Sequence, residues 1–142
     1  MALDPFDKPH HTFVKGKDLD KLLEDNKELI NLSRPFLDNL FKFVEHSSFS
    51  IILFNHQGFI LDALHDDEFR EINPLSRWRP GIHWCERLAG SNIISVTLRM
   101  KKPVQMFGPH HYMQLYHYTT ASGAPIIDPD EKLIGGIAMA SH

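Results

Sequence analysis

The stretch that decides the fold begins with Gly81-Ile-His-Trp-Cys-Glu86 and continues through a series of punctuated segments up to residue 140. These segments alternate short apolar runs with glycine, proline and Asp-Pro turns, which is typical of antiparallel strands joined by turns. A long insertion rich in aromatic rings separates two of the runs. The segments are Gly90-Ser-Asn92, Pro103-Val-Gln-Met-Phe-Gly108, His110-His-Tyr112, Ala124-Pro-Ile-Ile-Asp-Pro129 and Leu133-Ile-Gly-Gly136.

A β-hairpin is predicted immediately upstream of this stretch. The apolar runs 49–54 and 59–64 flank the turn residues Asn55-His-Gln-Gly58, a pattern that favours two paired strands. The predicted order is a strand pair, then a long segment with one helix, and then antiparallel strands joined by turns. This order indicates an α+β fold rather than repeated βαβ units. The remaining predicted elements are a helix from Ile93 to about Lys101, capped by Ser91 or Asn92, and strands over 103–107, about 118–127 and 133–140.

The N-terminal region is predicted to be helical. Apolar residues recur with helical spacing from Leu22 to Val44, and Asp18 is placed to cap the start of the helix. Pro35 interrupts the pattern and Ser33 is placed as a fresh cap, so we expect a kink or two helices. A seven-residue recurrence favours self-association, and we expect a homodimer. The recurring residues are Leu22, Leu29, Phe36 and Phe43.

Composition excludes several classes of protein. The chain has 142 residues, a formal net charge of −3 and no basic block, so direct contact with nucleic acid is not expected. No stretch approaches the ~20 apolar residues of a membrane helix, and no secretory signal is visible. Cys85 is the only cysteine, which excludes an internal disulfide and suits the cytoplasm.

One domain fits this length. We expect an extended lead-in over residues 1–16 and a single domain over residues 17–142. The last predicted strand ends next to His142, and we expect the domain to continue into a further helix as part of a longer protein.

The ordered motifs from Gly81 to Ala140 resemble a GAF domain. More narrowly, they resemble the N-terminal GAF domain of bacterial sigma-54-dependent activators of the acetoin-catabolism-regulator type. The family's glycine, tryptophan and glutamate fall on Gly81, Trp84 and Glu86. Its further motifs fall on Gly90-Ser-Asn92, Pro103-Val104, His110-His-Tyr112, His117, Ser122-Gly-Ala-Pro-Ile126, Asp128-Pro129 and Leu133-Ile-Gly135.

This resemblance implies a central antiparallel sheet of five to six strands, with an N-terminal helix on one face and a ligand-pocket insertion on the other. It implies a regulatory domain that senses a small metabolite and controls a downstream ATPase acting on RNA polymerase and a DNA-binding output. Those output domains are not encoded here, because the sequence has no phosphate-binding Gly-x-x-x-x-Gly-Lys-Ser/Thr motif. No catalytic activity and no cofactor are expected.

The candidate ligand-binding residues lie in the segment that carries the resemblance. Aromatic rings can wall an apolar pocket, and imidazoles suit recognition of a small acid or diol. Each also has a structural interpretation: Trp84 as core, Asn92 as a helix cap, and the histidines as solvated side chains. The candidates are Trp84, Glu86, Asn92, Phe107, His110, His111, Tyr112, His117, Tyr118 and Ser122.

Two further hypotheses stay open. The domain could have lost its ligand and serve only to dimerise or dock on a partner. It could also be a small enzyme that uses a metal or the Cys85 thiol with His83 as base. A metal site would need three or four ligands, and none is predicted, because Cys85 and Glu86 lie far in sequence from the histidine cluster.

Overall fold

The computed structural model describes residues 12–46, 49–66, 79–84, 92–107 and 120–141. Its centre is a five-stranded antiparallel sheet in the order β3-β2-β7-β6-β5. The elements are β1 Thr12–Phe13, α1 Lys17–Asp25, α2 Lys27–Val44, β2 Phe49–Asn55, β3 Ile60–His65, β4 Ile82–His83, α3 Ile93–Met100, β5 Val104–Met106, β6 Thr120–Ile127 and β7 Leu133–Ser141.

This architecture confirms the α+β class predicted from the sequence. The hairpin forms as expected, with β2 and β3 joined through Asn55, whose side-chain oxygen accepts from the backbone N–H of Gln57 and Phe59 at 3.0 Å each. Helix α3 and strands β5 and β7 also form where predicted. Strand β6 is described from Thr120 onward, so residues 118–119 of the predicted strand lie outside the described segments.

Each face of the sheet carries a helix that covers part of it. Ile51 and Leu53 of β2 pack with Leu37 of α2, whereas Ile52 and Phe54 pack on the opposite side with α3. We call the side that packs against α2 the helix face, and the side that packs against α3 the insertion face. Residues 50–55 are all buried, because successive side chains of a strand point to opposite faces and both faces are covered here.

The N-terminal helices break at a different residue from the one predicted. Two helices form, but they are separated at Asn26, and α2 runs without interruption through Pro35. Pro35 is exposed while Ser33 and Leu37 are buried, so the backbone hydrogen bond that proline cannot make lies on the solvent side. The predicted Asp18 cap was also wrong, since α1 begins after Gly16 with no side-chain cap.

An ion pair fixes α2 on the hairpin. Arg34 Nη1 donates to both carboxylate oxygens of Asp62 at 2.9 and 2.8 Å, and Arg34 Nε donates to Asp38 at 3.1 Å. The hydrogen bond to Asp62 raises the pKa of the Arg34 guanidinium above its ordinary value. Exposed pairs of this kind contribute about 0.2–1 kcal/mol, so we infer that this pair mainly sets the orientation of α2.

The lead-in joins the domain through a second, two-stranded sheet. Strand β1 pairs with β4, Thr12 opposite His83 and Phe13 opposite Ile82, and the Val14 N–H donates to the Gly81 carbonyl at 3.0 Å. Gly81 has φ +96, and a Cβ there would lie 2.7 Å from the Val14 carbonyl oxygen. This close approach explains a glycine at this position. Residues 1–11 lie outside the described segments.

Helix α3 packs closely on β6 at Gly123. A Cβ built on Gly123 would collide with Thr97 Oγ1 and lie 3.2 Å from Ile93 Cγ1. Thr97 is fully buried and its hydroxyl donates to the Ile93 carbonyl at 2.6 Å, so the threonine side chain has little freedom to move aside. The absence of a side chain at Gly123 therefore sets the distance between α3 and the sheet.

We predict that Gly123→Ala destabilises the domain by about 1–3 kcal/mol through overpacking, measured by urea unfolding. Adding Thr97→Ala to this variant should restore part of the loss, because it removes the colliding hydroxyl. Ser122→Ala, the exposed neighbour on the other face, is the control and should stay within about 0.5 kcal/mol of the parent. A Gly123→Ala protein as stable as the parent would contradict this packing account.

Candidate functional site

The insertion face of the sheet carries an unusual number of small side chains. Across β2, β7 and β6, one row of paired residues reads Ser50, Ala140 and Ala121, and the next includes Ala138 and Gly123. All five are buried. Because protein interiors are close-packed, small buried side chains on one surface must be matched by large groups packed against them. We call this set, Ser50, Ala121, Gly123, Ala138 and Ala140, the small-residue floor.

Bulky groups border this floor. Met106 pairs with Ala121 at the β5 end, and Ile93 and Thr97 of α3 stand over Gly123. At the opposite end of β7 the Phe54 ring lies over Gly136, where a Cβ would meet ring carbons within 2.6 Å. The face is therefore filled near the β2–β3 turn and, by α3, over Gly123, and it is built of small side chains toward the start of β2, where Ala121, Ala138 and Ala140 belong to the same core cluster as Ile93, Ile94 and Met106.

A polar pair lies at the edge of the floor. Ser50 Oγ is hydrogen-bonded to His65 Nδ1 at 2.6 Å, across the β2–β3 ladder. Ser50 is fully buried and His65 is half-buried. A hydroxyl and an imidazole can each donate and accept, so this pair can orient a ligand that has one oxygen function. Neither residue was predicted from the sequence. Ser50 could have been found, because it alternates along β2 with Ile52 and Phe54 and so lies on the same face.

Trp84 lies in the core cluster of the insertion face. Its side chain is buried together with Ile82, Ile94 and Phe54, and its backbone N–H donates to the Gly58 carbonyl at 2.9 Å. The structure thus places this predicted ligand residue on the same face as the small-residue floor, within the packed core.

Asn92 caps helix α3. Its side-chain oxygen accepts from the Ser95 N–H at 3.0 Å, while the Asn92 N–H donates to Ser95 Oγ at 3.3 Å, which completes a capping box. Asn92 is 2% exposed. Its side-chain oxygen is therefore engaged in positioning α3, on the insertion face.

Ser122 lies on the other side of the sheet from Trp84 and Asn92. Ser122 pairs with Met139, which packs on the helix face, so Ser122 is on the opposite side of the sheet. It lines an apolar groove together with Phe36 and Leu40 of α2. Phe107 follows β5 and is about half exposed.

His83 is held by a backbone carbonyl. Its Nε2–H donates to the Gln57 carbonyl oxygen at 2.7 Å, since a carbonyl oxygen only accepts. The ring also stacks on Phe59 with centroids 4.2 Å apart. Cys85, the thiol for which His83 was a candidate base, lies outside the described residues, and so do the predicted site residues Glu86, His110, His111, Tyr112, His117 and Tyr118.

Within the described segments, no group of three or more His, Cys, Asp or Glu side chains is arranged to hold a metal ion. In the same part of the chain, none of the helices combines the length and the apolar character that a membrane span requires.

We predict that Asn92→Ala lowers the free energy of unfolding by about 1 kcal/mol, the usual effect of losing an N-cap. Asn92→Ser retains a capping oxygen and should lose less. Chemical denaturation of both variants without any added ligand checks this. An Asn92→Ala protein with the same free energy of unfolding as the parent would contradict a stabilising role for this cap.

Comparison with protein families identifies the chain. The profile described as "MimR, N-terminal domain" matches residues 8–141, nearly the whole sequence. The chain belongs to the MimR N-terminal domain family. The match includes every described element, from β1 to β7.

Two curated relatives of this chain are regulators of transcription. The signal-transduction and transcriptional-control protein of Clostridium beijerinckii is 25% identical over 129 residues, covering 91% of this chain and 20% of that protein. The propane 2-monooxygenase operon transcriptional activator MimR of Mycolicibacterium smegmatis (strain ATCC 700084 / mc(2)155) is 27% identical over 110 residues, covering 77% and 19%. The chain thus spans about a fifth of the length of these relatives.

Among solved structures, the crystal structure of the E. coli DhaR(N)–DhaL complex contains a similar fold. It superposes with a TM-score of 0.85 over 96% of this chain and 46% of that chain, at 18% sequence identity. At this identity the similarity concerns the fold alone.

Proposed function

We propose that this chain is the small-molecule-sensing N-terminal domain of a longer bacterial transcriptional activator, with residues 17–142 as the sensory unit. In this proposal it is a GAF-type domain similar to those of sigma-54-dependent activators of the acetoin-catabolism-regulator type. Membership of the MimR N-terminal domain family and the transcriptional roles of the relatives support a regulatory rather than a catalytic function.

The small-residue floor is the observation that carries the sensing role. Ala138 and Ala140 lie in the central strand β7 and are fully buried, a position where sheet cores usually hold large aliphatic side chains. A ligand between this floor and residues 78–118 would take the space that a larger side chain would fill. Ligand sites are apolar concavities with a few placed polar groups, and the Ser50–His65 pair supplies such a group.

The ligand is proposed to be a small metabolite with an apolar body and at least one oxygen function, such as a small acid or diol. The predicted residues of the insertion, Glu86, His110, His111, Tyr112, His117 and Tyr118, are proposed to line the site from the side opposite the sheet. Trp84 would lie beside the site as part of the core cluster, and Asn92 would contribute indirectly by capping α3 and fixing its position.

Binding would bias two states of the regulator, because a ligand shifts an equilibrium by its difference in affinity for the two states. The output is proposed to pass to a downstream ATPase and DNA-binding region through the N-terminal helices of a cytoplasmic homodimer. The domain itself would not contact nucleic acid.

We predict that a ligand found by calorimetry with a metabolite panel binds Ala140→Leu at least 10-fold more weakly than the parent, about 1.4 kcal/mol, because the added carbons occupy the space above the floor. Ser122→Leu adds similar bulk on the opposite face and is the matched control, expected to bind like the parent. A panel without any binder, or equal affinity for Ala140→Leu and the parent, would contradict the sensing role.

A second candidate function is a protein-docking module that has lost its ligand. The open apolar groove beside Ser122 on the helix face favours it, and the similar fold in DhaR was crystallised in complex with another protein. A filled insertion face, with no binder in the panel, would make this the better hypothesis.

A further inference from the structure

Strand β4 and its two neighbours, Gly81 and Trp84, lie between two other pieces of backbone. We call these four consecutive residues the β4 segment. On one side it pairs with β1, where the Val14 N–H donates to the Gly81 carbonyl at 3.0 Å. On the other side it meets the hairpin, where the Gly81 N–H donates to the Ile60 carbonyl at 2.8 Å. The Trp84 N–H also points to the hairpin, donating to the Gly58 carbonyl at 2.9 Å. The β4 segment therefore links the lead-in to the hairpin.

The hairpin side of the β4 segment is closely packed. A Cβ built on Gly58, which has φ +90, would lie 2.9 Å from the Trp84 carbonyl oxygen. The His83 ring stacks on Phe59 with the ring centroids 4.2 Å apart, and its Nε2–H donates to the Gln57 carbonyl at 2.7 Å. Backbone and side-chain contacts together hold the β4 segment on this side.

The lead-in side of the β4 segment is built from exposed elements. Strand β1 has two residues, and the Phe13 side chain is 53% exposed. Helix α1 follows Gly16, and none of its nine residues, all of them described, is buried. An isolated pair of strands is marginally stable in water, and segments with few buried apolar contacts open at the lowest free energy. We therefore expect β1 and α1 to open before the central sheet.

Helix α1 contacts the start of the β4 segment directly. Leu19 Cδ1 lies 3.1 Å from the position that a Cβ on Gly81 would take, and Leu23 lines a cleft together with Pro80. Residues 14–16 connect β1 to this helix. Strand β1 and α1 therefore hold the β4 segment together, and a change that separates one from it also loosens the other.

The β4 segment also carries a residue of the proposed sensory site. Trp84 is 2% exposed, in the core of the insertion face. Glu86, a proposed ligand residue, follows it by two positions. Because β1 pairs with the two residues immediately before Trp84, the lead-in contacts the segment that leads into the proposed site.

We propose that residues 12–16 act as a detachable strap that couples the sensory site to the N-terminal helices. When paired, the strap holds the β4 segment, and with it Trp84, on the hairpin. When it detaches, the β4 segment and α1 are released in the same step, while β2, β7 and α3 stay folded. The inference deepens the proposed function and rests on it for the role of the strap, since a ligand that favours one state of the β4 segment would shift this equilibrium.

Hydrogen exchange of the full-length protein, resolved to single residues by mass spectrometry and measured without added ligand, tests the strap. The informative amides are those of Gly81 and Trp84, because their hydrogen-bond acceptors lie in the hairpin and not in β1. Val14→Pro removes the N–H that donates to Gly81. This variant is expected to exchange at least about 10-fold faster at both amides and in α1, with β2 and β7 unchanged.

Two matched controls separate loss of the strap from other effects. Val14→Ala keeps the backbone N–H and is expected to exchange like the parent at Gly81 and Trp84. Gly81→Ala, whose Cβ would lie 2.7 Å from the Val14 carbonyl oxygen, should reproduce the effect of Val14→Pro at Trp84. Gly16→Ala also places alanine at a positive φ, of +61, but with no atom within 4 Å of the new Cβ, and it should leave Trp84 protected.

Faster exchange confined to residues 12–25 would overturn the proposal, since the β4 segment would then be held without the strap. Faster exchange in β2 and β7 as well would also overturn it, because β1 would then be an inseparable part of the central fold. Unchanged exchange in both Val14→Pro and Gly81→Ala would do the same. Because no ligand is used, a metabolite panel without a binder would leave this result standing.

Discussion

The pairing of β2 with β7 sets the face on which each central side chain lies. Seven consecutive residue pairs, from Phe49–Ser141 to Asn55–Gly135, hold the two central strands together. Strand β2 is covered on both faces and β7 is buried on the insertion face, and a slip of one residue would exchange side chains between the faces. Ile51 and Leu53 would then leave α2, and the alanines of β7 would leave the insertion face.

This register gives the two faces different chemistry. The helix face packs large aliphatic and aromatic side chains from α2 against Ile51, Leu53 and Leu61. The insertion face combines a filled end, where Phe54 covers Gly136, with a floor of small side chains and the Ser50–His65 pair. One strand, β7, contributes to both, which is why we propose that ligand recognition and output use opposite sides of the same sheet.

Local chemistry in the sequence predicted much of the fold. The hairpin follows from alternating apolar runs around Asn55-His-Gln-Gly58, and α3 follows from Asn92 before an apolar helical pattern. The helix boundaries in the N-terminal region could not be predicted as well, because proline usually interrupts helices. Packing of Ser33 and Leu37 overrides that tendency when Pro35 faces solvent.

The candidate site was harder to predict, because the face on which a strand residue lies depends on register with strands far away in sequence. Alternation along a strand predicts that Ser122 and Gly123 lie on opposite faces, but which of the two lies toward α3 depends on the pairing with β7. Ser50 and His65 become partners only through the pairing of β2 with β3. The ring-rich insertion, with His110, His111 and His117, stays a prediction.

We propose that the small-residue floor underlies a ligand space. A high-resolution crystal structure of protein purified without denaturation, with and without xenon pressure, is the decisive test. We expect density for a bound small molecule, or for xenon, above Ala138 and Ala140 within reach of His65. Side chains packed against those alanines with no space between them, and no xenon bound, would contradict it.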